Sequence, residues 1–188
     1  EDSYMPAFLV GLGLARSLAA VNEIPLWQIS HQENHLEAGL WSAQGPDADR
    51  FLLLHASGGT TDLLLAEKQT DSTYALTQAG GSKDLHAGQF VDRVGVALGL
   101  QFPAGAALEQ LAATAADCIE LPVAVRQGDV SLSGPATAAL RKIEAGADPA
   151  ALAAGVQYAM AETFVRMIRN VAAQKEIFDV LLVGGVVS

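Results

Sequence analysis

The stretch Phe51-Leu-Leu-Leu-His-Ala-Ser-Gly-Gly-Thr-Thr-Asp-Leu-Leu-Leu-Ala-Glu67 decides the fold. Two apolar runs, 51–56 and 61–67, flank a Gly58-Gly59 pair, and Gly-Gly is a favoured two-residue hairpin turn, so the runs read as antiparallel strands. A third strand-like run, Ser72 to Ala79, follows a turn around Asp71 and completes a meander. Helical patterns then predominate: Asp84 to Leu98, Gly105 to Ala116, Pro135 to Glu144 and a long Asp148 to Gln174 segment that opens on an N-cap and first-turn pair, Asp148-Pro149. The run Phe178-Asp-Val-Leu-Leu-Val183 is apolar almost throughout and meets Gly184-Gly185, the pattern of a strand buried on both faces of a parallel sheet. A meander, then helices, then a buried strand predicts an α/β lobe with a mixed sheet.

Upstream of the meander, Pro6 to Ala20 reads as a small-residue helix and Ile24 to Ile29 as a strand. Gly11-Leu-Gly13 begins like a dinucleotide fingerprint, but it lies inside an apolar helical pattern with no preceding strand or third glycine. It reads as close helix packing. In Trp27-Gln-Ile-Ser-His-Gln-Glu-Asn-His35 the apolar run stops at Ser30, and Ser30 with Glu33 has the spacing of a capping box. His31 and His35 then share one face of a helix, close enough to share a metal ion; the same spacing also fits a solvated helix start. A zinc-protease reading is excluded: Gln32 stands where that motif needs Glu, and helix geometry turns Glu33 roughly 200° from His31.

Composition bounds the rest. The 188 residues, about half of them hydrophobic, can bury a real core in one large or two small domains. The apolar stretches near Leu9, Leu52 and Leu181 are too short and broken to be membrane spans, and Cys118 alone permits no internal disulfide, so a cytoplasmic protein is expected. A net charge of −10 excludes a broad phosphate-gripping surface; nucleic acid would need a local basic patch or a partner that supplies one.

The hairpin tip Ser57-Gly-Gly-Thr-Thr-Asp62 places two glycines among three hydroxyls and a carboxylate, and such a tip can cradle phosphates through its N–H groups or be a plain turn. Gly184-Gly185 has the same two readings, because ligands of open α/β sheets bind at the carboxyl ends of strands and glycine also simply ends strands. His55 reads as a tolerated strand residue, His86 as exposed or a cleft-rim residue, and Cys118 as a buried thiol. Trp27 and Trp41 read as core or interface anchors.

Six ordered motifs resemble the TsaD family, the threonylcarbamoyl-adenosine transferases of tRNA modification once called the glycoprotease family. Gly13-Leu-Ala-Arg-Ser-Leu-Ala19 is similar to its Gly-Arg-Ser-Leu-Ala helix, and His31-Gln-Glu-Asn-His35 to its His-Met-Glu-Gly-His metal motif. Ser57-Gly-Gly-Thr-Thr61 resembles Ser-Gly-Gly-His-Thr. Ala87-Gly-Gln-Phe-Val-Asp92 with Leu98-Gly-Leu-Gln-Phe-Pro-Ala-Gly105 resembles Ala-Gly-Glu-Ala-Phe-Asp and Leu-Gly-Leu-x-Tyr-Pro-Gly-Gly. Asp129-Val-Ser-Leu-Ser-Gly134 resembles Asp-Phe-Ser-Phe-Ser-Gly, and Val183-Gly-Gly-Val186 the family's Gly-Gly-Val. Gln89, Thr60 and Ala136 stand where the family has Glu, His and Lys.

The resemblance implies an actin-like ATPase (ASKHA) fold, α/β with a mixed sheet and flanking helices. It implies an incomplete first lobe over 1–48 and a second lobe over 49–188 lacking its end. It implies one divalent metal, Zn or Fe, on His31 and His35, and an adenine nucleotide, ATP or threonylcarbamoyl-AMP. That nucleotide would lie against Thr60, Thr61, Asp92, Gly105, Gly184 and Gly185, with Ser57, Gly58 and Gly59 at the reacting group. The implied activity is transfer of threonylcarbamoyl onto a tRNA adenosine, by an active enzyme or a divergent paralogue. The implied partners are TsaB/TsaE-type proteins, tRNA reached through the assembly, and a second copy of the chain; no membrane is implied. Two other readings share the fold: a non-catalytic TsaB-like dimerising subunit and a small-molecule phosphotransferase.

Overall fold

The computed structural model describes residues 6–187. Its chain forms two compact units, Glu1–His31 and Gln32–Ser188. Within the first, helix α1 spans Pro6–Asn22, and Leu9, Val10, Leu14, Leu18 and Val21 along it are all exposed. Within this unit a Cβ on Gly11 or Gly13 would meet nothing within 4 Å. Residues 24–30 carry no regular element, which corrects the expected strand: an apolar run becomes a strand only where another strand takes up its backbone groups.

The second unit is a six-stranded mixed sheet. Strands β1 (Arg50–Ala56), β2 (Thr61–Lys68) and β3 (Tyr74–Ser82) form the expected antiparallel meander, with Ala56 opposite Thr61 and a bulge at Leu63/Leu64. A short hairpin, β4 (Ala124–Arg126) and β5 (Asp129–Ser131), was not legible in advance; β5 runs parallel to the end of β3. Strand β6 (Val180–Val183) lies parallel to β1, giving the order β4-β5-β3-β2-β1-β6.

Helices cover both faces. Helix α2 (His31–Ala43) starts one residue after Ser30, the expected cap, and Leu36 on it packs with Phe51, Leu53, Leu64, Ala66, Leu181 and Val183. The opposite face carries the larger core, in which Leu52, Leu54 and Ala56 of β1 meet α3 (Ala87–Ala97), α4 (Gly105–Ala112), α5 (Ser133–Glu144) and α6 (Pro149–Lys175). Helix α6 begins as its sequence predicts, the Asp148 carboxylate accepting the Ala151 N–H at 2.8 Å.

Cys118 is exposed rather than buried. Trp27 is 85% and Trp41 86% exposed, which removes the core half of their reading and leaves the interface half. Ala136, where the resembling family carries Lys, is fully buried in the larger core, a position suited to a methyl group.

Candidate functional site

Strand periodicity builds the site. Successive side chains of β1 alternate between faces, so Phe51, Leu53 and His55 point together toward the side that α2 covers. Helix α2 carries His31 and His35 one turn apart, and the His35 and His55 rings lie 4.1 Å apart between centroids, tilted by 38°. Ligand nitrogens of His31, His35 and His55 all lie within 4.8 Å of one another. Helical spacing alone pairs His31 with His35 and leaves His55 as a tolerated strand residue. The structure buries His55 completely and makes it the third member. The missed signal was the alternation itself, which assigns His55 to the face beneath the helix of histidines.

The donor set decides which ions fit. Three imidazoles suit borderline Zn2+ or Fe2+, whereas Ca2+ and Mg2+ take oxygen ligands.

Two residues beyond His55, the hairpin tip closes with Ser57 N–H donating to the Thr60 carbonyl at 2.8 Å. That bond leaves the N–H groups of Gly58 and Gly59 at the turn. The tip sits on the start of α3. The Gly88 N–H donates to the Ser57 carbonyl at 3.1 Å, and the Ala87 N–H to Thr61 Oγ1 at 2.8 Å. A Cβ on Gly88 would lie 2.6 Å from the Gly58 Cα, so this approach requires glycine. Thr61 is buried with its hydroxyl committed to α3. Gln89 accepts the His86 N–H at 3.0 Å through Oε1, a capping contact in which Gln serves as Glu would.

The remaining predicted residues fall in two places. Gly184 has φ +102°, and a Cβ there would lie 2.2 Å from the Ala56 carbonyl oxygen, so Gly184-Gly185 curls against the end of β1 beside Ser57. Val186 N–H donates to that same oxygen at 3.2 Å. Asp92 Oδ1 accepts the Ala104 N–H at 2.7 Å and thereby fixes the residue before Gly105 at the start of α4. The site residues thus gather as a histidine triad, a glycine tip flanked by Gly184-Gly185, and the Asp92–Gly105 junction.

Electrostatics around the tip are mixed. Burial raises the Asp62 carboxyl above its ordinary value, partly offset by His86 and Lys83. Burial also acts to raise Asp84, but hydrogen bonds from Ser131, Ser133, Leu132 and Leu85 outweigh it and hold that carboxyl well below the usual range. Ser131 Oγ donates to Asp84 at 2.6 Å and the Leu132 N–H at 2.9 Å, so Asp84 pins the start of α5 to the β3–α3 loop.

The profile of the family TsaD: tRNA N6-adenosine threonylcarbamoyltransferase matches residues 4–188. The chain belongs to the TsaD family. Curated relatives named tRNA N6-adenosine threonylcarbamoyltransferase include one from Methanopyrus kandleri, 36% identical over 96% of this chain and 51% of its own length. Another, from Thermus thermophilus, is 37% identical over 96% of the chain and 54% of its own length. A Methanothermobacter thermautotrophicus relative, named probable bifunctional tRNA threonylcarbamoyladenosine biosynthesis protein, is 34% identical over 96% and 32%. The chain therefore spans about half the length, or less, of these curated relatives. Component A of the Acidaminococcus fermentans (R)-2-hydroxyglutaryl-CoA dehydratase shares the fold at 18% identity with TM-score 0.53, over 89% of this chain and 57% of that one. This TsaD-family chain thus has the actin-like ATPase fold, a mixed sheet with helices on both faces. No described helix is long and apolar enough to cross a membrane.

Proposed function

We propose that the protein is a TsaD-type transferase that moves threonylcarbamoyl from its adenylate onto an adenosine of tRNA. The observation that carries this reading is the His31, His35 and His55 triad, set two residues before a Ser-Gly-Gly-Thr-Thr tip in a TsaD-family chain. His31, His35 and His55 would hold one divalent metal, Zn or Fe. When bound there, such an ion supplies Lewis-acid polarisation of a carbonyl oxygen. The Gly58 and Gly59 N–H groups, with the Ser57 hydroxyl, would orient the carbamoyl group and stabilise charge developing on its oxygen. The adenosine N6 attacks the carbamoyl carbon, the bond from that carbon to the phosphate oxygen breaks, AMP departs and the amine proton passes to solvent.

The adenylate would lie along Thr60, Gly184 and Gly185, with Gly105 and Asp92 at its nucleoside end. Asp92 would act through its free oxygen, since Oδ1 already holds Ala104. Thr61 would serve the nucleotide by fixing the start of α3. We assign residues 1–48 to a first lobe and 49–188 to a second, place the protein in the cytoplasm and take TsaB/TsaE-type proteins as partners.

The test is transfer of labelled threonylcarbamoyl to tRNA by the full-length protein with those partners, beside His55→Ala. Transfer that His55→Ala abolishes supports the reading. A folded, nucleotide-binding protein that transfers nothing refutes it in favour of a divergent paralogue.

A further inference from the structure

Helix α6 lies on the sheet face opposite α2, and its outer surface carries Tyr158, Glu162, Val165, Arg166 and Arg169. Glu162, Val165 and Arg169, and Glu162 with Arg166, fall three or four residues apart, and with Tyr158 one turn earlier they form one solvent-facing stripe. Beside the stripe an open groove of about 690 Å³ runs to the β4–β5 turn; its lining includes Arg166, Arg169, Asn170, Gln174 and Gln127, with the Glu162 carboxylate as its one acidic group. Asn170 Nδ2 donates to the Gln127 carbonyl at 3.0 Å, which ties turn to helix, and Arg126 precedes Gln127 on β4. The chain has only 11 Lys and Arg against 21 Asp and Glu, and three of those 11 are these arginines. Arg166 is held by Glu162 at 2.6 Å, whereas Arg169 makes no ion pair among the described residues.

We propose that this groove is a docking surface for the sugar-phosphate backbone of an RNA. Guanidinium groups grip phosphate oxygens bidentately, and side-chain amides add backbone contacts that position without reading sequence. An exposed tyrosine on the same stripe offers a stacking face for an unpaired base. An acidic chain repels a polyanion overall, so an RNA contact has to use a local concentration of arginine. The inference rests on the tRNA reading above and adds where the RNA is held: on the face away from the histidines, so that the groove governs affinity and not chemistry.

The test is fluorescence anisotropy of labelled tRNA with the full-length protein and its partners across a salt series. Arg166→Ala/Arg169→Ala should weaken binding about tenfold and reduce the steepness of the salt dependence by between about 1 and 2 log units per log unit of salt. Metal content and adenylate binding should stay unchanged. Glu162→Gln removes the competing carboxylate and should tighten binding about twofold to threefold. Wild-type binding that neither variant alters overturns the groove and leaves the transferase reading standing. A wild-type assembly with no affinity for tRNA overturns both.

Discussion

The two faces of one strand do different work. On one side, Leu52, Leu54 and Ala56 of β1 enter a continuous apolar core roofed by four helices. On the other, Phe51 and Leu53 enter a smaller core under a single helix, and the third residue in that row is a histidine. The larger face fixes the position of β1, and the smaller one uses that rigidity to hold an imidazole against two others. Side chains placed on a strand locked from behind are held more precisely than side chains on a loop, which is what a metal centre needs.

If the comparison holds, substitutions on the two sides of β1 separate stability from binding. Leu54→Ala should cost the most, about 3 kcal/mol of folding stability in chemical denaturation, with metal stoichiometry preserved in the fraction that stays folded. Equal loss of metal affinity and stability in that variant would break the distinction. His55→Ala should do the reverse, lowering metal affinity on the order of 100-fold, about 2.7 kcal/mol, while moving the apo protein's unfolding midpoint far less.

The polar clasp at Asp84 comes next. Asp84→Ala removes the acceptor for the start of α5 and should cost about 1 kcal/mol in the same denaturation series. Because the folded carboxyl lies below its unfolded value, its contribution is complete above about pH 4 and is lost as pH falls toward the folded value. Asp84→Asn should therefore flatten the acid limb of a stability–pH profile, and an unchanged limb would contradict the clasp. The smallest effect belongs to the exposed Arg50–Glu67 pair at 3.1 Å: Arg50→Ala should stay within about 0.5 kcal/mol of wild type.

Much of this was legible in advance, for identifiable reasons. The meander announced itself through Gly58-Gly59 between apolar runs, and α6 through Asp148-Pro149, because turn and cap chemistry act locally. The β4–β5 hairpin escaped because three-residue strands are too short to show a period. Residues 24–29 misled because apolar character alone does not make a strand, and Cys118 because thiols are usually buried. His31 and His35 were readable from helical spacing within one segment. His55 required joining two periods, the strand's alternation and the placement of α2 over that face, and only the second lay outside the sequence.

The most direct test of the three-histidine centre is metal titration of the purified protein, following bound Co2+ by its visible absorption as a zinc surrogate, alongside His31→Ala, His35→Ala and His55→Ala. One ion per chain with a low-coordination spectrum is expected, and a comparable loss of affinity in all three variants. An unaltered spectrum and affinity in His55→Ala would contradict it, because the ion would then be held without the strand.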